Sequence, residues 1–473
     1  LLLHLPRLHW PAIGLCLAVV AGAGLRTIWP EDMEYKLDEA WTYRATQSVH
    51  DGGPIPRVGM PTSQNAPNPA GSVWVFIGLS ELFGATSPVE LARIGQWMNA
   101  IALLGLAFYA WRIVPVESRG VWCWAAVLAA VNPLAVLMQR KIWPPSIASL
   151  LLLGVVIGWR NRNRRWGAAL WGFLALAVGQ IHLAGLFLAG GLMLWTLAFD
   201  RRDTRWRAWA LGSAAAAWPL AFWLPTAFDQ AIAQPTGQIR LSNAATLNFF
   251  LRWVSEPFGM SLSYSIEEEF DDFLRFPLVN GRATYLVGAL QVAMYALMAW
   301  FALSAVWRAW RQRRNWRAIV PGSRDSHWFG INAVMFGYGG LITLACVPTQ
   351  RHYMLMTFPM MYVWLAAIVL SDRRPVRGSK PISAGEERRA QPDLQEPPVG
   401  RAVPDIHFGR SPRTSVAAHF TITRGQALLA ALALVQFATS ALFLDYVHGA
   451  QRTLRGDYGT PYSVQVRNGL GPF

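Results

Sequence analysis

What most constrains this chain is a series of apolar windows, about 17–25 residues long and free of charge, separated by short arginine-rich segments. A helix of that length crosses a hydrocarbon core of roughly 30 Å, and lipid leaves backbone amides no partner outside such a helix. Only 15% of the 473 residues are charged, against about a quarter in an ordinary soluble domain. The pattern predicts an all-α polytopic membrane protein. Hydropathy places eleven spans near residues 11–29, 91–111, 120–138, 144–159, 166–180, 182–199, 208–226, 283–307, 328–347, 352–370 and 425–444.

The formal charge of +15 does not point to nucleic acid, because the arginines sit between spans as positive-inside topology requires. One such loop carries Arg160, Arg162, Arg164 and Arg165, and the next Arg201, Arg202, Arg205 and Arg207. A third carries Arg308, Arg311, Arg313, Arg314 and Arg317. With the N-terminus inside, eleven spans put all three on the cytoplasmic side. The longest opposite loops, 30–90 and 227–282, hold more acids than bases. Residues 371–424, with Glu386-Glu387-Arg388-Arg389 and Glu396-Pro397-Pro398, read as a disordered cytoplasmic linker. It divides a membrane-embedded domain, 1–370, from a last span and short extracytoplasmic tail, 425–473. Cys16, Cys123 and Cys346 all fall inside predicted spans, which argues against a disulfide framework. Ile13–Leu25 has the look of a signal-peptide core, with Ala21-Gly22-Ala23 resembling a cleavage site. The apolar run continues to Ile28-Trp29, which favours an uncleaved first helix.

The outer loops carry the polar chemistry. Asp38 and Glu39 follow the first span by about ten residues, at the entry to a stretch where Leu37, Ala40, Trp41, Ala45 and Val49 share a helical face. This predicts an amphipathic interfacial helix. Thr62–Pro69 reads as a turn, and Gly71–Leu82 as a short apolar helix, interfacial or re-entrant. Neighbouring helical residues point about 100° apart, so Asp38 and Glu39 cannot serve one atom alike. A plain N-terminal cap is the competing reading. Bases on the outer side run against the positive-inside bias, which singles out Arg140 and Lys141, and Arg351 and His352. Snorkelling to headgroups is their alternative. His182 at a short turn suits a helix-packing hydrogen bond better than catalysis. Glu256 and the run Glu267-Glu268-Glu269-Phe270-Asp271-Asp272 raise the question of a divalent cation, but consecutive acids scatter around a helix and favour a solvated face. With Trp253 and Tyr264, that loop is suited to covering a groove. Asp457, in Arg455-Gly456-Asp457-Tyr458-Gly459, reads first as part of a turn and second as a residue shaping a site.

Several short motifs resemble the GT-C superfamily of lipid-phosphate-sugar glycosyltransferases, particularly the protein O-mannosyltransferase and aminoarabinose-transferase branch (glycosyltransferase family 39-like). They are Leu37-Asp38-Glu39-Ala40-Trp41 after the first span, Asn68-Pro69 before an aromatic-rich short helix, and Ser87-Pro88-Val89-Glu90-Leu91-Ala92-Arg93 at the next span. Asn132-Pro133 through Arg140-Lys141-Ile142-Trp143-Pro144-Pro145, and Gln180-Ile181-His182, complete the set. The resemblance covers residues 1–370; the 371–424 linker and the late eleventh span depart from it. It implies an inverting transferase that moves a sugar from a polyprenyl-phosphate donor, a co-substrate rather than a resident cofactor, to a hydroxyl of a glycan, lipid or protein. The implied setting is a bacterial inner (plasma) membrane, with the site facing the periplasm or exterior. Asp38 would then be the general base with Glu39 in support. Arg351, Arg140, Lys141 and His352 would hold the leaving phosphate. Trp41, Tyr43, Tyr353 and His182 would meet substrate; no residue is assigned to a metal. Two other classes stay open, a secondary transporter and a noncatalytic flippase or scaffold partner in envelope assembly. The lack of paired repeats and the few intramembrane acids weigh against the transporter.

Overall fold

The computed structural model describes residues 10–61, 67–233, 246–313, 326–370 and 423–469. Nearly all of the predicted linker at 371–424 lies outside the described residues, as do 62–66 of the predicted turn and 314–325 of the third arginine-rich loop. Helices dominate the rest. Helix α1 spans Trp10–Thr27, α2 Leu37–His50, α3 Gly71–Phe83 and α4 Pro88–Phe108. They are followed by α5 Val116–Val131, α6 Pro133–Met138, α7 Ala148–Arg160, α8 Arg165–Ile181 and α9 Ala184–Phe199.

Each predicted apolar stretch contains helix, but most are shortened or broken. Among the described residues, three helices are long and apolar enough to cross a membrane, Pro88–Ile113, Leu286–Trp307 and Arg424–Ala450. A fourth arises if Arg351–Thr357 and Met360–Leu370, bent by 77°, form one span. The predicted span 120–138 breaks at Asn132-Pro133, where the Asn132 side chain accepts the Ala135 N–H at 3.0 Å and starts α6. Proline at the first helical position removes an amide that has no partner there anyway. The 328–347 stretch is three pieces, His327–Asn332, a π-helical Ala333–Tyr338, and Gly339–Leu344. The helix Leu286–Gln312 leaves Val292, Leu303 and Val306 exposed by 68%, 71% and 67%. An apolar face of that extent is stable against acyl chains rather than water. The chain is a membrane protein.

The segment between α1 and α4 is held over the bundle by buried polar contacts. Arg26, near the end of α1, donates to Gln139 Oε1 at 2.7 Å and to the carbonyls of Ala130 and Ala129 at 2.7 and 3.0 Å. Gly22 allows this approach, since a Cβ there would lie 2.6 Å from the Ala130 oxygen. Helix α2 forms as the sequence predicts and packs on α3, which in turn packs on α8. Strand β1 (Val58–Pro61) pairs antiparallel with β2 (Pro67–Pro69) between them.

After Arg424–Ala450 the tail folds back across this surface. Asp457 and Tyr458 N–H groups donate to Tyr264 and Ser265 carbonyls at 3.2 and 2.7 Å, and Tyr462 N–H to Met33 O at 3.1 Å. Only glycine fits at Gly456: its φ is +116°, and a Cβ would meet Glu267 N at 2.8 Å. The tail thereby joins two loops far apart in sequence.

Candidate active site

An open cavity of about 1030 Å³ lies among these segments. Its wall includes Glu34 to Ala40, leading into the first turn of α2, Lys141 and Trp143 from the turn after α6, Arg252, Gln350 to His352, and Asp457 of the tail.

Asp38 and Glu39 divide as helical geometry requires. Glu39, the third residue of α2, turns inward, and its Oε2 accepts the backbone N–H of Lys36 at 3.0 Å, satisfying a free amide of the first turn. Its Oε1 lies 3.3 Å from Lys141 Nζ. Lys141 Nζ also lies 2.9 Å from Glu34 Oε1, which meets Lys36 Nζ at 2.9 Å. Two buried carboxylates thus share one buried ammonium, with a second ammonium at the rim. Burial pushes the Glu39 carboxyl up to about 7, with Lys141 opposing and the charge of Glu34 adding to the rise. For Lys141, burial acts to lower the pKa, but Glu34 and Glu39 outweigh it and the net shift is upward. Lys141 therefore stays charged, 4.5 Å from the centre of the Trp143 ring.

Asp38 is only partly buried and faces the cavity. Burial raises its pKa, while Lys141 and a hydrogen bond from Trp143 act against the rise. Among the described residues it forms no salt bridge of its own, which leaves the carboxylate available to a ligand.

Arg351 opens the 3₁₀ turn Arg351–Thr357 and reaches the cavity from a buried position. Its Nη1 donates to Ser261 O and Ser265 Oγ, both at 2.8 Å, and its Nη2 to Asp457 Oδ2 at 2.5 Å. Lys36 Nζ lies 3.2 Å from the other oxygen of the same carboxylate. Burial acts to raise the Asp457 pKa, but Lys36 and Arg351 outweigh it and hold it below the ordinary value. His352 stands edge-on to Trp143 at 4.8 Å, and together they form an aromatic wall.

The remaining expected residues are placed elsewhere. Arg140 does not line the cavity; it donates to Leu25 O in the last turn of α1 at 2.7 Å and to Trp29 O just beyond it at 2.8 Å. The phosphate contact expected of it would need it in the cavity wall, which it does not join. His182 accepts the Ala184 N–H on Nδ1 at 3.2 Å at the start of α9. With Tyr353, whose ring is 5.3 Å away, it backs His352 from behind. Tyr43 donates to Thr86 O at 2.8 Å and holds the loop before α4. Neither Tyr43, Trp41, Tyr353 nor His182 lines the cavity. The acidic run in the second outer loop holds the tail: Glu269 Oε1 accepts from Arg452 at 2.8 Å and from the Arg455 N–H at 2.9 Å, and Glu268 pairs with Arg455 at 2.7 Å. Among the described residues no three His, Cys, Asp or Glu side chains converge as a metal site would need.

Glu34, Lys36, Trp143 and Arg252 are lining residues that sequence reasoning passes over. The signal for the first two is the crowding of Glu31, Asp32, Glu34, Lys36, Asp38 and Glu39 within nine residues of an otherwise charge-poor chain.

Neither a family model nor a curated protein matches the chain. Solved structures of the Archaeoglobus fulgidus oligosaccharyltransferase, a GT-C superfamily glycosyltransferase, are similar to it. The apo form aligns over 77% of this chain and 51% of its own, at 15% identity and a TM-score of 0.40. The form tethered to an acceptor peptide aligns over 77% and 49%, at 15% identity and a TM-score of 0.42. A complex of that enzyme, AglB, with an inhibitory peptide and a dolichol-phosphate aligns over 76% and 50%, at 13% identity and 0.38. The chain spans about half the length of these proteins.

Proposed function

We propose that this protein is an inverting glycosyltransferase that takes a sugar from a polyprenyl-phosphate donor and gives it to a hydroxyl of a glycan, lipid or protein. The observation that carries the reading is that Asp38, a carboxylate with no salt bridge among the described residues, and Arg351, an anchored guanidinium, line one open cavity at the end of an apolar bundle. Asp38 accepts the proton of the acceptor hydroxyl as its oxygen attacks the anomeric carbon. The bond from that carbon to the phosphate oxygen breaks, and the phosphate leaves with its charge developing beside Arg351 and Lys36. A single displacement inverts the anomeric centre. Glu39 and Lys141 hold the first turn of α2, and so Asp38, in place. His352 and Trp143 offer ring faces to the sugar.

The cavity opens on the extracytoplasmic side in this reading, because the arginine-rich loops belong inside, as eleven crossings would place them. A bacterial inner membrane with a periplasmic site fits that arrangement. The test is transfer by the purified protein in lipid, supplied with defined polyprenyl-phosphate sugars. Sugar transfer that disappears with Asp38→Asn supports the proposal; substrate translocation without transfer favours a transporter instead.

A further inference from the structure

We infer that the C-terminal tail places the Asp457 carboxylate in the cavity's phosphate seat as a resident anion, which a phosphate ester must displace in order to bind. The inference rests on the reading of the cavity as a donor site for a polyprenyl-phosphate sugar.

The seat is built independently of its occupant. Arg351 is fixed from behind by Ser261 O and Ser265 Oγ, so its guanidinium keeps its position if Asp457 leaves. Lys36 supplies the second cation, tied to Glu34 at 2.9 Å. Between them the two cations address both oxygens of Asp457, and Lys36 also donates to its backbone carbonyl. The same pair of donors suits two oxygens of a phosphate group. Exposure separates the partners: the Arg351 side chain is 7% exposed and that of Asp457 55%. The cation belongs to the wall, and the carboxylate to the rim.

The segment carrying Asp457 is bounded by anchors that need not move. Before it, Arg452 holds Glu269; after it, Tyr462 N–H holds Met33 O and Gln465 holds Tyr35 O. Thr453 and Thr460 hydroxyls meet at 2.9 Å and close the loop at its base. Displacement therefore requires rearrangement within residues 453–460 and no unthreading of the tail. A phosphodiester donor exchanges one negative charge for another. The monoester product carries between one and two charges near neutral pH, because its second pKa lies near 6. It therefore competes with Asp457 better than the donor does.

The experiment uses the full-length protein in lipid nanodiscs, with farnesyl phosphate as probe. Binding should raise hydrogen–deuterium exchange across 453–460 in the wild type, and slower or unchanged exchange in the bound protein overturns the inference. Asp457→Asn should bind farnesyl phosphate roughly threefold or more tighter, as the competing state is removed. Arg351→Gln should bind it at least about tenfold more weakly. If Asp457→Asn binds equally or less well while Arg351→Gln is still impaired, Asp457 is a fixed wall and the inference fails alone. Inorganic phosphate raises exchange in the same segment if the free anion suffices, and only farnesyl phosphate does so if the lipid is needed; either result supports displacement. The same rise with farnesol overturns it. Displacement by phosphate without sugar transfer from any polyprenyl-phosphate sugar leaves the seat standing and removes the transferase reading.

Discussion

Lys141 Nζ lies 3.3 Å from Glu39 Oε1, and both side chains are buried. With Glu34 at 2.9 Å on the same ammonium, this contact ties the turn after α6 to the first turn of α2. Replacing Lys141 by Met leaves two buried carboxylates without their shared cation, a change that costs about 3–5 kcal/mol in buried pairs. Thermal unfolding of K141M in lipid should fall accordingly, and adding E39Q should recover part of the loss, because contacting residues couple. A K141M protein as stable as wild type would contradict the contact.

Stability should depend on pH through Glu39. Burial raises its carboxyl from an ordinary 4.5 to about 7 in the folded protein. A raised folded pKa means that the folded state binds the extra proton between these values, so stability falls as pH rises. The Glu39 contribution is fully present below about pH 4.5 and lost as pH passes 7. The melting temperature of the wild type relative to E39Q should decline over that window. A flat difference, or one that grows with pH, would show that Glu39 is already ionised in the folded state at low pH.

Arg140 and Arg351 should separate by assay. Arg140 donates to the Leu25 and Trp29 carbonyls and does not line the cavity. R140M should lower stability by about 1.5–3 kcal/mol for each charged hydrogen bond lost, with donor KM unchanged in the folded fraction. R351Q should instead reduce kcat/KM for the donor by about tenfold or more. Equal effects of the two variants on KM would return Arg140 to the site.

The α2 helix and the acidic pair were legible in the sequence because both rest on local pattern: apolar residues on one helical face, and acids at its first turn. The unequal duties of Asp38 and Glu39 followed from the angle between neighbouring helical side chains. The split between Arg140 and Lys141 did not, since consecutive residues in a turn take directions set by the partners they find. Asp457 was still less accessible. Its bond to Lys36 joins residues 421 apart, across a linker with no periodicity to report the pairing. Arg351 was legible as an outer-side base, but the serines that aim it lie in another loop. Local pattern pointed to the polar loops, and long-range contacts decided which of their residues share the cavity.

The central claim is that Asp38, and not its neighbour, takes the acceptor proton. The direct measurement is the rate of sugar transfer by D38N and E39Q, purified in lipid with a defined polyprenyl-phosphate sugar and normalised to folded protein. General-base removal predicts a loss of about 10²–10⁴-fold in kcat for D38N, while E39Q loses stability and keeps most of its kcat. Full activity in D38N, with E39Q inactive although folded, would contradict the account.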